Sequence, residues 1–167
     1  MSAGRGKAKT GGKRRDIRER ALGLLAVRQR SRRELERRLV QAGFGSEDVE
    51  QELVRLEDVG LLDDEAFARA VVHSRMGPRG ESRRVVAGKL AQAGVSRDIA
   101  LVVLEEASEG EEERARRLAE TKAARMSGLE PQVAFQRLYG LLARRGYAPD
   151  VARTAARKAL AVEATPE

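Results

Sequence analysis

One phrase occurs three times in this chain and limits the fold more than any other feature. Leu39-Val40-Gln41-Ala42-Gly43-Phe44, Leu90-Ala91-Gln92-Ala93-Gly94-Val95 and Leu142-Ala143-Arg144-Arg145-Gly146-Tyr147 each read Leu, three residues, Gly, apolar residue, with the glycines 51 and then 52 residues apart. A further apolar residue stands four before each Leu (Leu35, Val86, Leu138), and another five or six after each Gly (Val49, Ile99, Val151). A period near 50 residues marks one supersecondary unit repeated along the chain. Stacked helical units make extended binding surfaces more readily than enclosed catalytic pockets.

The body between the tails reads as helix. Ala, Leu, Glu, Arg and Gln dominate it, and all favour helix. Starts are marked by caps. Ser31-Arg32-Arg33-Glu34 is a capping box, in which the Ser hydroxyl accepts from the Glu34 amide and the Glu carboxylate reaches back to the Ser31 amide. Ser46 precedes Glu47-Asp48, Asp63 or Asp64 opens the segment 65–76, and Ser82 and Ser96 open the next two. Pro131 and Pro149 suit first-turn positions, where a missing N–H costs little. Gly43, Gly60, Gly94 and Gly146 each follow an apolar-periodic run, as a left-handed residue after a helix does. Gly77-Pro78-Arg79-Gly80 reads as a loop. The result is nine helices near 14–29, 31–42, 46–59, 64–76, 82–93, 96–108, 110–127, 131–145 and 149–162. They form an all-α, elongated array of three tandem three-helix repeats. The expected divisions are a disordered basic arm over 1–13, repeats over 14–60, 61–108 and 109–162, and a disordered tail over 163–167. The third helix of each repeat offers core residues: Val49, Leu53 and Leu56; Ile99, Val102 and Val103; Val151, Ala155 and Ala159. The last set is small, so the third repeat is expected to be the least stable.

Charge is unevenly placed. Of the net +7, residues 1–20 carry +6, and the remaining residues are nearly neutral but locally segregated. The basic arm serves either as a solubilising tail or as an electrostatic tether to nucleic acid. Aromatic residues, at 3%, are too few for a base-stacking platform. The absence of cysteine excludes disulfides, thiolate metal sites and a Cys nucleophile. No apolar run reaches the roughly 18 residues of a membrane span, and the chain is expected to be cytoplasmic.

Catalytic patterns are missing. His73 is the only histidine and is expected to be an ordinary helix residue. No phosphate-binding glycine loop occurs, and no cofactor or metal is expected. Asp63-Asp64-Glu65 fits a helix N-terminus better than a metal cluster. Glu105, Glu106, Glu109 and Glu111-Glu112-Glu113 form an acidic stretch between the second and third repeats. It is a solvated junction, a contact for basic loops of a partner, or an internal guard against nonspecific nucleic-acid binding. The arginines recur at the same stage of successive repeats. Arg28, Arg30, Arg33 and Arg37 crowd the first helix junction, Arg75, Arg79, Arg83 and Arg84 the second, and Arg144 and Arg145 lie in the third. A guanidinium grips a carboxylate or a phosphate through two hydrogen bonds, so these ten residues are the candidate partner-binding set.

With the repeat laid out, the sequence resembles the RecX family of bacterial regulatory proteins. The first repeat carries Ala21-Leu22, Leu25, Arg28, Arg30-Ser31, Glu34-Leu35 and Leu39, followed by Leu56, Gly60-Leu61-Leu62-Asp63-Asp64 and Phe67-Ala68. The second adds Arg75, Gly80, Leu90 and Gly94-Val95, and the third adds Leu142 and Arg144-Arg145-Gly146-Tyr147. The resemblance implies a crescent of three three-helix units that binds the RecA recombinase in its nucleoprotein filament. Such proteins lie in the filament groove and restrain ATP hydrolysis, strand exchange and coprotease activity, which bear on recombination, DNA repair and the SOS response. They are not known as enzymes. The basic arm and the turn-rich loop at 77–80 depart from the family pattern. The chain is expected to act as a monomer, with weak, nonspecific contacts to DNA besides. The alternative is a nonspecific helical DNA-binding protein acting through its arm and Arg clusters. Against that reading, the third helix of the first repeat carries Asp48, Glu50 and Glu52, which repel phosphate.

Overall fold

The computed structural model describes the backbone of residues 6–107 and 110–163, and side chains within 16–107 and 110–161. Among these residues there are nine helices and no strand: α1 Gly6–Val27, α2 Arg32–Gln41, α3 Ser46–Asp58, α4 Asp64–Met76, α5 Arg83–Ala93, α6 Arg97–Glu106, α7 Glu111–Ala123, α8 Pro131–Arg144 and α9 Pro149–Glu163. Most ends lie close to those the sequence predicts. The exceptions are α1, which starts at Gly6 instead of residue 14, and α7, which ends at Ala123 instead of residue 127. Lys, Ala and Arg favour helix, and the backbone continues through part of the expected arm. Residues 1–5 of that arm and 164–167 of the expected tail lie outside the described residues.

The recurring phrase is a helix stop. Gly43, Gly94 and Gly146 have φ of 93°, 83° and 89°, the left-handed region. This turns the amide of the following residue back to the Leu carbonyl: Phe44 to Leu39 at 3.3 Å, Val95 to Leu90 at 3.0 Å and Tyr147 to Leu142 at 3.2 Å. These are the six-to-one bonds of a Schellman motif, which brings the residue after Gly against the helix it has just left. That explains why an apolar residue must follow each Gly. Val95 and Tyr147 are buried, and Phe44 packs on the first core.

Several starts carry side-chain caps, but α3 and α7 do not: their N-caps are Gly45 and Gly110, and Ser46 is the first helical residue of α3. Ser31 Oγ accepts from the Glu34 amide at 3.2 Å, Ser82 Oγ from Val85 at 3.3 Å and Ser96 Oγ from Ile99 at 3.3 Å. Asp63 accepts from the amides of Glu65 and Ala66, both at 2.9 Å, and so is the N-terminal cap of α4. α8 differs, because its cap is the Glu130 carboxylate, bonded to the Val133 amide at 3.1 Å.

Residue contacts group the chain into two compact units, Met1–Arg69 with Leu90–Ala100 and Ala70–Lys89 with Leu101–Glu167. The first unit has a core of Ile17, Ala21 and Leu24 from α1, Leu35 and Leu39 from α2, and Val49, Leu53 and Leu56 from α3, closed by Leu62. In the second unit, α7, α8 and α9 enclose a core in which Leu138, Leu142 and Tyr147 are the large members. Ala115, Ala119 and Ala123 of α7 and Ala152, Ala155, Ala156 and Ala159 of α9 supply the rest. Short side chains let these helices approach closely, but each buries little apolar area. One expected core residue is misplaced: Val102 is 49% exposed, while Val103 and Leu104 are buried. The inward stripe of α6 is phased on Val103, and its neighbour Val102 turns to solvent.

The three stop glycines are expected to tolerate alanine unequally. Left-handed backbone alone costs an alanine about 1 kcal/mol, and Gly43 has nothing within 4 Å of a Cβ position. At Gly146 the added carbon would overlap Val85 and lie 2.7 Å from Ser82 Oγ. Urea titration should show Gly43→Ala losing about 1 kcal/mol and Gly146→Ala at least twice that. Equal losses would contradict the close approach at Gly146.

Candidate functional site

Two of the three stop phrases dock on a serine-capped helix start, each through a hydrogen bond from the serine to the carbonyl before the glycine. In the first unit, Ser31 Oγ donates to the carbonyl of Ala93, the residue before Gly94. The aliphatic stem of Arg33 lies over Gly94, so closely that a Cβ there would come within 2.6 Å of Arg33 Cβ. In the second unit, the amide of Ser82 donates to the carbonyl of Arg145, the residue before Gly146, at 2.9 Å. Val85 and Ser82 cover that glycine, and Arg84 Nη2 reaches its carbonyl at 3.5 Å. Arg145 in turn donates to the carbonyl of Arg79 in the 77–80 loop. Only a residue without a side chain allows a helix start to come so near. The sequence carried a signal for this that composition and capping did not reveal. The tripeptide Ser-Arg-Arg stands at 31–33 and again at 82–84, the same 51 residues apart as Gly43 and Gly94.

The docking helix starts are held by charge. Glu34, with its side chain 10% exposed, accepts from Arg28 at 2.6 Å, from the buried Arg30 and from Arg38 at 3.2 Å. Arg30 also donates from Nε to the Leu24 carbonyl at 3.0 Å, which ties α1 to α2. This replaces half of the predicted capping box. The Glu34 carboxylate serves guanidiniums instead of the Ser31 amide, because a hydrogen bond between two charged groups is stronger than one to a neutral amide. Burial pushes the Glu34 carboxyl up, but the bonds and charges of Arg28 and Arg30 outweigh it and hold its pKa below the ordinary value. Arg32 bonds Glu50 at 2.6 Å and Glu57 at 2.9 Å, and its backbone amide donates to Asp64 at 2.7 Å. In the second unit, Glu81 plays a similar part with Arg75 at 3.2 Å and Lys89 at 3.9 Å.

The structure therefore sorts the ten candidate arginines. Arg30 is buried and structural. Arg28, Arg75, Arg84 and Arg145 each hold a bond within their own unit. Arg33, Arg37, Arg79 and Arg144 are exposed and Arg83 is half-buried, and the guanidiniums of all five have no polar partner among the described residues. Beside the 77–80 loop in the second unit is a cavity of about 340 Å³, with Arg114, Arg117 and Lys122 on its α7 wall. His73 is exposed on α4. Part of the acidic stretch is engaged locally: Arg116 bonds both Glu113 and Glu120. Glu109 lies outside the described residues. No group of three or more potential metal ligands occurs among the described residues, and no described helix is long and apolar enough to cross a membrane.

The sequence matches the RecX family in three successive parts: its first three-helix domain over residues 18–56, its second over 63–104 and its third over 110–156. The regulatory protein RecX of Streptomyces coelicolor is 40% identical over 145 residues, which are 85% of this chain and 76% of that protein. The regulatory protein RecX of Thermobifida fusca is 37% identical over 143 residues, 85% of this chain and 77% of that protein. The crystal structure of RecX from Lactobacillus salivarius shares the fold with a TM-score of 0.72 at 21% identity, covering 89% of this chain and 97% of that one.

The Glu34 cluster makes the first unit acid-sensitive. Because its folded pKa is lowered, the stabilisation is present above the ordinary carboxylate value and is lost as pH falls through the folded value. Glu34→Gln should cost about 3 kcal/mol at neutral pH, since it leaves Arg30 buried without its counter-charge. Urea titrations from pH 7 downward should show the gap between the variant and the unaltered chain narrowing below about pH 4. A gap that stayed constant would contradict this assignment.

Proposed function

The chain belongs to the RecX family, and we propose that it binds the RecA nucleoprotein filament and restrains its ATP hydrolysis, strand exchange and coprotease activity. In this reading it is a cytoplasmic, monomeric regulator of recombination and DNA repair, and not an enzyme. The observation that carries the reading is the likeness to regulatory proteins of this family across 85% of the chain. The sorting of the arginines supports it. Five guanidiniums remain uncommitted where repeated helix starts and stops present them to solvent, suited to carboxylates on recombinase protomers or to DNA phosphates. Contacts to more than one protomer would resist the rearrangements that accompany ATP turnover.

ATP hydrolysis by the cognate recombinase on single-stranded DNA, titrated with the full chain and with residues 16–167, tests the reading. Both are expected to inhibit at far less than one molecule per bound nucleotide. The triple variant Arg37→Glu, Arg83→Glu and Arg144→Glu should need about tenfold more protein for the same inhibition, through loss of charge-steered contacts. No inhibition by the full chain at saturation would overturn the proposal. Inhibition by the full chain alone, at DNA-coating concentrations only, would assign the effect to DNA competition through the basic arm.

A further inference from the structure

The remaining copy of the stop phrase, the first in the chain, is open. Gly43 is exposed and has nothing within 4 Å of a Cβ position, Ala42 is exposed, and Val40 is 43% exposed. The Ala42 carbonyl corresponds to the carbonyls of Ala93 and Arg145, which take the docking hydrogen bonds in the two filled copies. It accepts no hydrogen bond among the described residues. The backbone of the open copy matches the others, with the glycine left-handed and the following amide returned to Leu39. The socket is thus already formed.

We propose that the corner formed by Val40, Ala42 and Gly43 is a docking socket for a helix N-terminus on the protein partner, one that starts with Ser or Thr and carries a basic residue two positions on. This rests on the reading of the chain as a filament-binding regulator and names the part of it that meets a protomer. The occupant's chemistry comes from the filled copies. Both receive a helix start reading Ser-Arg-Arg, whose serine hydroxyl or amide donates to the carbonyl before the glycine and whose next residues cover the glycine. The rim of the open corner suits the same occupant. Glu47 and Asp48 in the first turn of α3 place negative charge beside Gly45, where Asp48 Oδ2 lies 3.8 Å from a Cβ position, and a basic side chain complements it. A second copy of this chain fits poorly. Its other serine-capped start, Ser96 of α6, carries the acidic Asp98 two positions on, and its remaining second-helix start, α8, reads Glu130-Pro131-Gln132. At the serine's position Glu130 has no hydroxyl to donate, its carboxylate would face the Ala42 carbonyl, oxygen against oxygen, and Gln132 carries no charge for the acidic rim.

The test uses the full chain with Gly43→Ala, whose added Cβ takes the place that the docked residues approach in the filled copies, Arg33 over Gly94 and Val85 over Gly146. Gly60→Ala is the control, because Gly60 is likewise a left-handed helix stop with nothing within 4 Å of a Cβ position. Circular dichroism and urea titration establish that both variants are folded. Binding to the cognate recombinase filament on single-stranded DNA is measured by fluorescence anisotropy with labelled protein, and self-association by sedimentation equilibrium. The expected result is a loss of affinity of about tenfold or more for Gly43→Ala and less than about twofold for Gly60→Ala, with all three proteins monomeric. Normal binding by Gly43→Ala would overturn the socket and leave the filament-binding function standing. Failure of the unaltered chain to bind would overturn both. A dimer abolished by Gly43→Ala would replace the partner helix with a second copy and overturn the proposal as stated.

Discussion

The structure depends on one backbone arrangement, a helix ended by a left-handed glycine whose preceding carbonyl points outward. The glycine does two things at once. Its positive φ returns the next amide to the Leu carbonyl and sends an apolar residue inward, as Tyr147 shows at 4% exposure. Its missing side chain lets another helix start settle on the same corner, as Arg33 does over Gly94 and Val85 over Gly146. Any residue with a Cβ would compromise both roles. At Gly94 and Gly146 a local stop signal thereby becomes a tertiary contact.

Charge then decides which arginines are available. The helix starts that dock are rich in arginine, and an unpaired guanidinium in a buried setting would be costly. Glu34 and Glu81 solve this within their own units, Glu34 by gathering Arg28, Arg30 and Arg38, and Glu81 by holding Arg75 and Lys89. The guanidiniums left over are those that make no such bond among the described residues. A cluster that reads as uniformly basic in sequence is therefore a mixture of struts and free cations, and only the free cations can meet a partner without first breaking a bond.

Much of the fold was legible in the sequence because the signals were local. The left-handed glycines at 43, 60, 94 and 146, the caps at Ser31, Asp63, Ser82 and Ser96, and the first core of Leu35, Leu39, Val49 and Leu53 all follow from residue chemistry and helical period. Errors arose where the answer was not local. Val102 fits an apolar stripe on paper, but the phase of α6 is set by Val103 and Leu104 packing inward. The Glu34 carboxylate has a textual partner three residues back, yet guanidiniums from the turn between α1 and α2 and from α2 itself capture it. Arg30 has the charge of a partner-binding residue, but sequence shows charge and not burial, and the structure places it at 6% exposure. The docking of Ser-Arg-Arg on the glycine phrase was encoded as two tripeptides at the repeat spacing, a pattern that has meaning only once the glycine corner is known to be a surface.

Amide hydrogen exchange at Ser82 tests the glycine corner as a docking element most directly. An N-cap amide has no partner within its own helix and ordinarily exchanges fast. Here it donates to Arg145, far away in the sequence. The account predicts a Ser82 amide protected like the interior of α5, and a loss of that protection by an order of magnitude or more in Gly146→Ala while the α5 interior stays protected. A Ser82 amide that exchanges freely in the unaltered chain, or one indifferent to Gly146→Ala, would contradict it.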